Sequence, residues 1–228
     1  MEQQRLQTSE ALRVGLALAM VGGYLDAYTY LCRGGVFANA QTGNIVLLGV
    51  KLAAGDWAGA ANYLPPILAF CLGVLLAEGV RGRAARAQTP GRMHWRQRVL
   101  LLETAVLAAA AFAPLGGGWN MLVNWAVSFV CALQVESFRR VRGKAYATTM
   151  CTGNLRSGTE LLYQYLRGKD PETLAASLRY YAVIAAFIAG AALSAAALGV
   201  WGRWALLAAC AGLAAVLLGL FRPWVGGG

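Results

Sequence analysis

The chain has 228 residues, 58% of them apolar and only 13% charged, with a mean hydropathy of +0.52. A soluble domain needs about 25% charged residues to dress its surface, and a disordered chain carries far fewer Leu, Val, Phe and Trp. Both classes are excluded in favour of an integral membrane protein, in which a net charge of +10 predicts basic cytoplasmic loops rather than a nucleic-acid site.

An apolar run of about 18 residues or more crosses a hydrocarbon core roughly 30 Å thick. Six stretches qualify as spans: 11–31, 62–80, 99–114, 119–138, 177–198 and 203–221, the third gaining length by extending over the arginines before it. Two further stretches, 38–54 and 148–167, are helix-like but contain Thr-Gly-Asn near their starts, and they either span or re-enter. Ala38-Asn39-Ala40 has the form of a cleavage site, yet no cleavable leader is expected. Glu2 and Glu10 precede the apolar stretch, Asp26 lies inside it, and the region recurs later in the chain. The five cysteines, Cys32, Cys71, Cys131, Cys151 and Cys210, form no C-x-x-C pair, and the chain has one histidine. Neither a disulfide framework, a metal site nor a cofactor is expected, and the cysteines read as small residues packed between helices.

Basic residues set the orientation. The segment from Arg81 to Arg98 holds six arginines and no acid, and Arg139, Arg140, Arg142 and Lys144 form a second cluster. Loops 81–98 and 139–144 are therefore read as cytoplasmic, and Pro114-Leu115-Gly116-Gly117-Gly118 as the external turn between the two spans that join them. Each cluster adjoins an apolar span and neither is interleaved with stacking aromatics, so a nucleic-acid partner is not expected.

A shift of 110 positions lays Thr42-Gly43-Asn44 on Thr152-Gly153-Asn154, Asp26 on Glu136 and Tyr28 on Phe138. After a seven-residue insertion the offset becomes 117, and Ala69-Phe70 with Gly73 falls on Ala186-Phe187 with Gly190. Seven residues are two helical turns and preserve the helix face, so residues 1–228 read as a single membrane domain with an internal two-fold repeat, halves 11–114 and 119–222. Three crossings per half invert the second half; four leave it parallel. Six spans with two partly inserted TGN segments place both termini inside together with Arg5, Arg13, Arg167, Lys169 and Arg222, leaving Arg33 and Arg203 outside. Eight full spans are the alternative.

The motifs Gly22-Gly23-Tyr24-Leu25-Asp26 and Phe37 followed by Thr42-Gly43-Asn44, with the second TGN downstream, resemble the YoaK family of uncharacterised bacterial membrane proteins over nearly the whole chain. The resemblance implies a compact inner-membrane protein of about six helices and supplies no substrate or reaction.

Thr or Asn at a helix start caps free N–H groups, and Gly permits close approach. Thr42, Gly43, Asn44, Thr152, Gly153 and Asn154 thus become the candidate substrate or ion site, two helix starts meeting near the midplane as in repeat-built transporters. The competing reading is that TGN simply packs helices closely. Asp26 and Glu136 are the candidate coupling or gating acids, because an intramembrane carboxylate needs a partner or a task. Glu136 also fits local pairing with Arg139 and Arg140, whereas the base nearest Asp26 is Arg33, seven positions on. Arg156 and Glu160 join the coupling set, either paired with each other or lining a polar cavity; their first-half equivalents are Val46 and Val50. Tyr24, Tyr28, Tyr30, Trp201, Trp204 and Trp224 read as interface belts. Glu78 and Glu103 read as partners of the arginine-rich loop, and His94 as solvated within it.

No G-x-S-x-G, H-E-x-x-H, P-loop or dinucleotide fingerprint is present, so an enzyme is not expected, an intramembrane hydrolase using Asp26 and Glu136 being the remaining enzymatic option. The expected function is a small-solute transporter or channel, with a proton as the candidate coupling ion. The alternative is a membrane scaffold or sensor whose basic loops bind anionic lipid or a cytoplasmic partner; a dry, close-packed midplane would favour it. Small-residue faces such as Gly190, Ala191 and Ser194 pack helices within the chain or between copies in a homo-oligomer. In a variant stripped of native cysteines, a single cysteine at Lys169 is expected to resist a membrane-impermeant thiol reagent until cells are permeabilised, while one at Gly55 reacts from outside. Direct labelling at 169 establishes the eight-span alternative.

Overall fold

The computed structural model describes residues 12–86, 95–138, 140–141, 144–145 and 151–221. His94, Arg139, Arg142 and Trp224, and the side chains of Arg140 and Lys144, lie outside that description. Nearly everything described is helical. The chain runs through α1 (Leu12–Cys32), α2 (Gln41–Ala53), the single turn α3 (Trp57–Ala60), α4 (Leu64–Arg86), α5 (Trp95–Phe112) and α6 (Gly117–Ser137). A two-residue antiparallel pair follows, β1 (Arg140–Val141) and β2 (Lys144–Ala145), then α7 (Cys151–Gly168), α8 (Pro171–Trp201), a 3-10 turn at Gly202–Ala205 and α9 (Leu206–Phe221). Among the described residues, four stretches are long and apolar enough to cross a membrane by length and composition: Leu12–Cys32, Trp57–Arg83, Gly117–Ser137 and Pro171–Leu220.

Local chemistry sets the helix limits. Helix α1 stops where Gly34 and Gly35 take φ of 94° and 73°, a left-handed bend that glycine adopts without Cβ strain. Lys51 closes the end of α2 by pairing with Asp56 at 2.8 Å, and Asp56 accepts the Gly59 N–H at 2.8 Å to cap α3. The Lys51 ammonium and that N–H hold the Asp56 carboxyl below its ordinary value. Pro65 and Pro66 sit in the first turn of α4, where a missing N–H costs nothing. Asp170 caps α8 by accepting from the N–H groups of Glu172 and Thr173, with Pro171 at the first helical position.

Packing rests on glycine. Helix α1 lies along α8, where Gly23 meets the Phe187 backbone and Gly190 meets the Met20 backbone. Helix α4 lies along α6, where Gly73 meets the Phe129 carbonyl and the Ala132 side chain. In each case a Cβ would collide with the facing helix. In an apolar medium, close van der Waals approach replaces the hydrophobic effect as the force between helices. Helix α7 folds back on α8 through Ser177 Oγ, which donates to the Gly158 carbonyl at 2.7 Å. Helix α5 packs against both α6 and α9, and α9 against α1, so α1, α5, α6 and α9 enclose Leu18, Leu25, Leu107, Val127 and Leu213. Gly190 and Ser194 are buried within the chain, which removes them from any surface available to a second copy.

Tyr24 and Tyr28 are buried rather than belted at an interface: their hydroxyls donate to the carbonyls of Ala205 at 2.6 Å and Arg203 at 3.0 Å, tying α1 to the turn before α9. Tyr30, Trp201 and Trp204 are exposed. Cys131 and Cys210 are packed inside, but Cys71 is exposed.

Overpacking at a close helix crossing costs about 1–3 kcal/mol. Gly23→Val and Gly73→Val are each expected to lower the thermal unfolding temperature in detergent by several degrees. Gly219→Ala, with nothing within 4 Å of its Cβ, is expected to leave it unchanged or raise it.

Candidate functional site

Asp26 lies in the second half of α1 with 4% of its surface exposed. A carboxylate in that position requires donors, and it finds them in the backbone entering α2. Its Oδ1 accepts the Asn39 N–H at 2.6 Å and the Ala40 N–H at 3.4 Å. Asn39 reciprocates, its Nδ2 donating to the Gly22 carbonyl at 3.2 Å. Helix α2 has Ala40 in the N-cap position and no side-chain cap of its own. Asp26 therefore supplies the anchor from another helix, with its negative charge at the positive end of the α2 dipole. Its Oδ2 is buried without a hydrogen-bond partner.

The first TGN element faces inward onto its own loop. Asn44 is fully buried: Oδ1 accepts the Phe37 N–H at 2.9 Å, while Nδ2 donates to the Phe37 carbonyl at 2.8 Å and to Gln41 Oε1 at 2.9 Å. Gly43 lies under the Phe37 ring, which a Cβ would meet at 2.8 Å, and that ring stacks on Tyr30 at 4.7 Å. Thr42 is exposed. The second TGN element opens α7, with Thr152 and Gly153 exposed and Asn154 buried. Cys151, at the first residue of α7, lies within electrostatic range of Asp26. Asp26 thus stands at the start of α2.

The pattern of the family described as a protein of unknown function, DUF1275, matches residues 14–219 of the chain. The chain belongs to this family. It is also 27% identical over 147 residues to the UPF0700 transmembrane protein YoaK of Bacillus subtilis strain 168, a match covering 61% of this chain and 62% of that protein. The chain is thus a membrane protein of an uncharacterised transmembrane family. No solved structure matches it.

Within this DUF1275 chain, G-x-x-D followed by F-x-x-x-x-T-G-N reads as one construction. Gly23 lets α8 approach, Asp26 holds the loop at Asn39 and Ala40, Phe37 covers Gly43, and Asn44 clamps the Phe37 backbone.

The remaining candidates separate. Glu136 accepts from Arg81 of α4 at 3.1 Å, an interhelical pair; of its expected local partners, Arg139 and the Arg140 side chain lie outside the described residues. Arg81 also pairs with Glu78. Arg156 and Glu160 are exposed and do not pair with each other. Glu103 is not a partner of the arginine-rich loop: it is fully buried on α5, accepting from Gln134 Nε2 at 3.1 and 3.3 Å. Cys131 of α6 is fully buried, within electrostatic range of both Glu103 and Asp26. Arg33 is also fully buried. Glu103 was legible as the acid in an otherwise apolar run, LLETAVLAAAAF; proximity to arginines in sequence concealed it.

Removing the Asn44 amide leaves the Phe37 N–H and carbonyl without partners, at a cost of about 1–3 kcal/mol. Asn44→Ala is expected to lower thermal stability accordingly, with Thr42→Ala near wild type. A neutral Asn44→Ala would dismiss the clamp.

Proposed function

We propose that the chain is a multi-pass inner-membrane transporter for a small solute, coupled to protons through Asp26. Six helices, α1, α4, α5, α6, α8 and α9, form its spans, with α2 and α7 partly inserted and the basic loops cytoplasmic. The two-fold repeat is part of this reading. It is supported by reciprocal packing: α1 on α8 matches α6 on α4, and Gly73, the counterpart of Gly190, meets α6 at Phe129, one residue from the counterpart of Met20.

Two buried carboxylates carry the proposal. Asp26 and Glu103 lie inside an apolar bundle, and among the described residues no cation pairs with either. Anchoring α2 gives Asp26 a structural use, but that use leaves Oδ2 buried and unpartnered, and an incompletely satisfied buried carboxylate is costly and is retained where it has a further task. The unpartnered Oδ2 of Asp26 is the proton acceptor. Protonation removes the charge that holds the Asn39 and Ala40 N–H groups, which loosens the start of α2 and changes the field at the start of α7. Release of the proton restores the anchor. Solute passes where these two starts part, and because the Asn44 amide is wholly engaged with Phe37 and Gln41, the arrangement described is the closed one. The proposal assigns the chain no chemical reaction.

The scaffold reading draws on that same satisfied Asn44 and on the tight α1–α8 crossing. Flux separates the two. Reconstituted in liposomes with a trapped pH dye, the wild type is expected to acidify the lumen when an acid pulse is given with a cognate solute outside. Asp26→Asn is expected to abolish the pH dependence of that flux while remaining folded. A protein indistinguishable from empty liposomes across the solutes tried, or an Asp26→Asn variant with unaltered pH dependence, overturns the coupling.

A further inference from the structure

Arg33 follows directly on α1, and all of its surface is buried. Its guanidinium donates to backbone carbonyls where α5 ends: Nη1 to Pro114 at 2.6 Å, and Nη2 to Ala113 at 3.1 Å and Ala110 at 3.5 Å. It also reaches Asn120 Oδ1 at 3.4 Å and the Tyr28 hydroxyl at 3.1 Å. These are partial charges at the negative end of a helix dipole. No carboxylate pairs with Arg33 among the described residues, and its Nε–H is buried with no acceptor. A full positive charge is thus set into the protein with incomplete compensation.

A cavity of about 190 Å³ adjoins it, lined by Arg33, Gly34, Asn62, Gly117, Asn120 and Asn124 among others. That volume is several times the roughly 30 Å³ share of one water. The N-terminus of the 21-residue α6 opens onto it, with Gly116 in the cap position and no side-chain cap, so first-turn N–H groups remain for a ligand. Asn120 Oδ1 already accepts from Gly116 and Arg33, leaving its amide nitrogen for another acceptor. Asn124 is different: 2% exposed, it spends its amide nitrogen on the Arg33 carbonyl at 2.8 Å, and its Oδ1 is buried without a donor. The cavity therefore combines an excess of positive charge and donors with one waiting acceptor.

We propose that this cavity binds a small oxyanion that also carries an O–H or N–H donor, the chemistry shared by a hydroxycarboxylate and dihydrogen phosphate. The anionic oxygens sit at the α6 start and the Asn120 amide, within the field of the enclosed Arg33 guanidinium, and the donor goes to Asn124 Oδ1 as the ligand displaces the side chains that cover it. This deepens the transport reading by naming its solute class, and it rests on that reading only for movement across the membrane. Arg33 and Asp26 are two helical turns apart, so an anion held at the outer end of α1 sits above the proton-binding acid.

The test measures binding by the full chain in detergent, by titration calorimetry and thermal unfolding, with lactate, inorganic phosphate and acetate in a constant sodium chloride background. Lactate and phosphate are expected to bind saturably and raise the unfolding temperature, and acetate, which lacks the donor, to bind more weakly. Asn62→Asp places a carboxylate at an exposed lining position without touching the Arg33 contacts, and is expected to weaken binding about tenfold or more. Arg33→Gln removes binding, but it also uncaps α5, so Asn62→Asp keeps the proposal testable should that variant not fold. Absence of saturable binding, equal affinity for acetate, or an unaffected Asn62→Asp overturns it. Binding without flux in liposomes supports the cavity and overturns transport, whereas flux with Asn62→Asp binding unchanged overturns the cavity alone.

Discussion

The architecture depends on one short hydrogen bond, 2.6 Å from the Asn39 N–H to Asp26 Oδ1. A carboxylate inside an apolar bundle cannot stand alone, and the first N–H groups of a helix cannot be left dry. Each solves the other's problem, and the pairing fixes where α2 begins relative to α1. From that anchor the segment between α1 and α2 follows: Phe37 falls over Gly43, Asn44 closes on the Phe37 backbone, and the Tyr30 ring stacks outside.

The same rule, that polar groups within a membrane must be satisfied internally, explains Arg33 just beyond the C-terminal end of α1. There the unsatisfied groups are carbonyls at the end of α5, and a guanidinium serves them. Helix α1 thus carries an acid bound to a helix start and a base bound to a helix end. Both remain incompletely partnered, Asp26 at Oδ2 and Arg33 at Nε. Those residual valences distinguish the two from the buried tyrosines of α1, whose hydroxyls each reach a backbone carbonyl.

Much of this was legible in order. Composition placed the chain in the membrane, and the apolar runs located the helices to within a few residues because hydrocarbon thickness sets their length. The third run needed the residues before it, and α5 does begin at Trp95. The TGN elements were recognisable as helix starts, but their capping role went to Asp26, since Thr42 is exposed and Asn44 sits in the first turn facing back along its own loop. Glu136 has a partner that spacing along the chain does not reveal, Arg81, 55 residues away on α4.

By itself, then, the sequence determined what a single chain segment decides through its own chemistry: membrane residence, helix positions, the glycines that permit close crossings, and the existence of an acid that needs a partner. The tertiary structure alone decided which groups meet. Asp26 with Asn39, Glu103 with Gln134, and Arg33 with the end of α5 are pairings across helices, and no periodicity along the chain encodes them. Burial, too, is a property of the bundle: Arg33, beside a glycine turn, and Glu103, read along the chain as a partner of the arginine-rich loop, are enclosed only because neighbouring helices close over them.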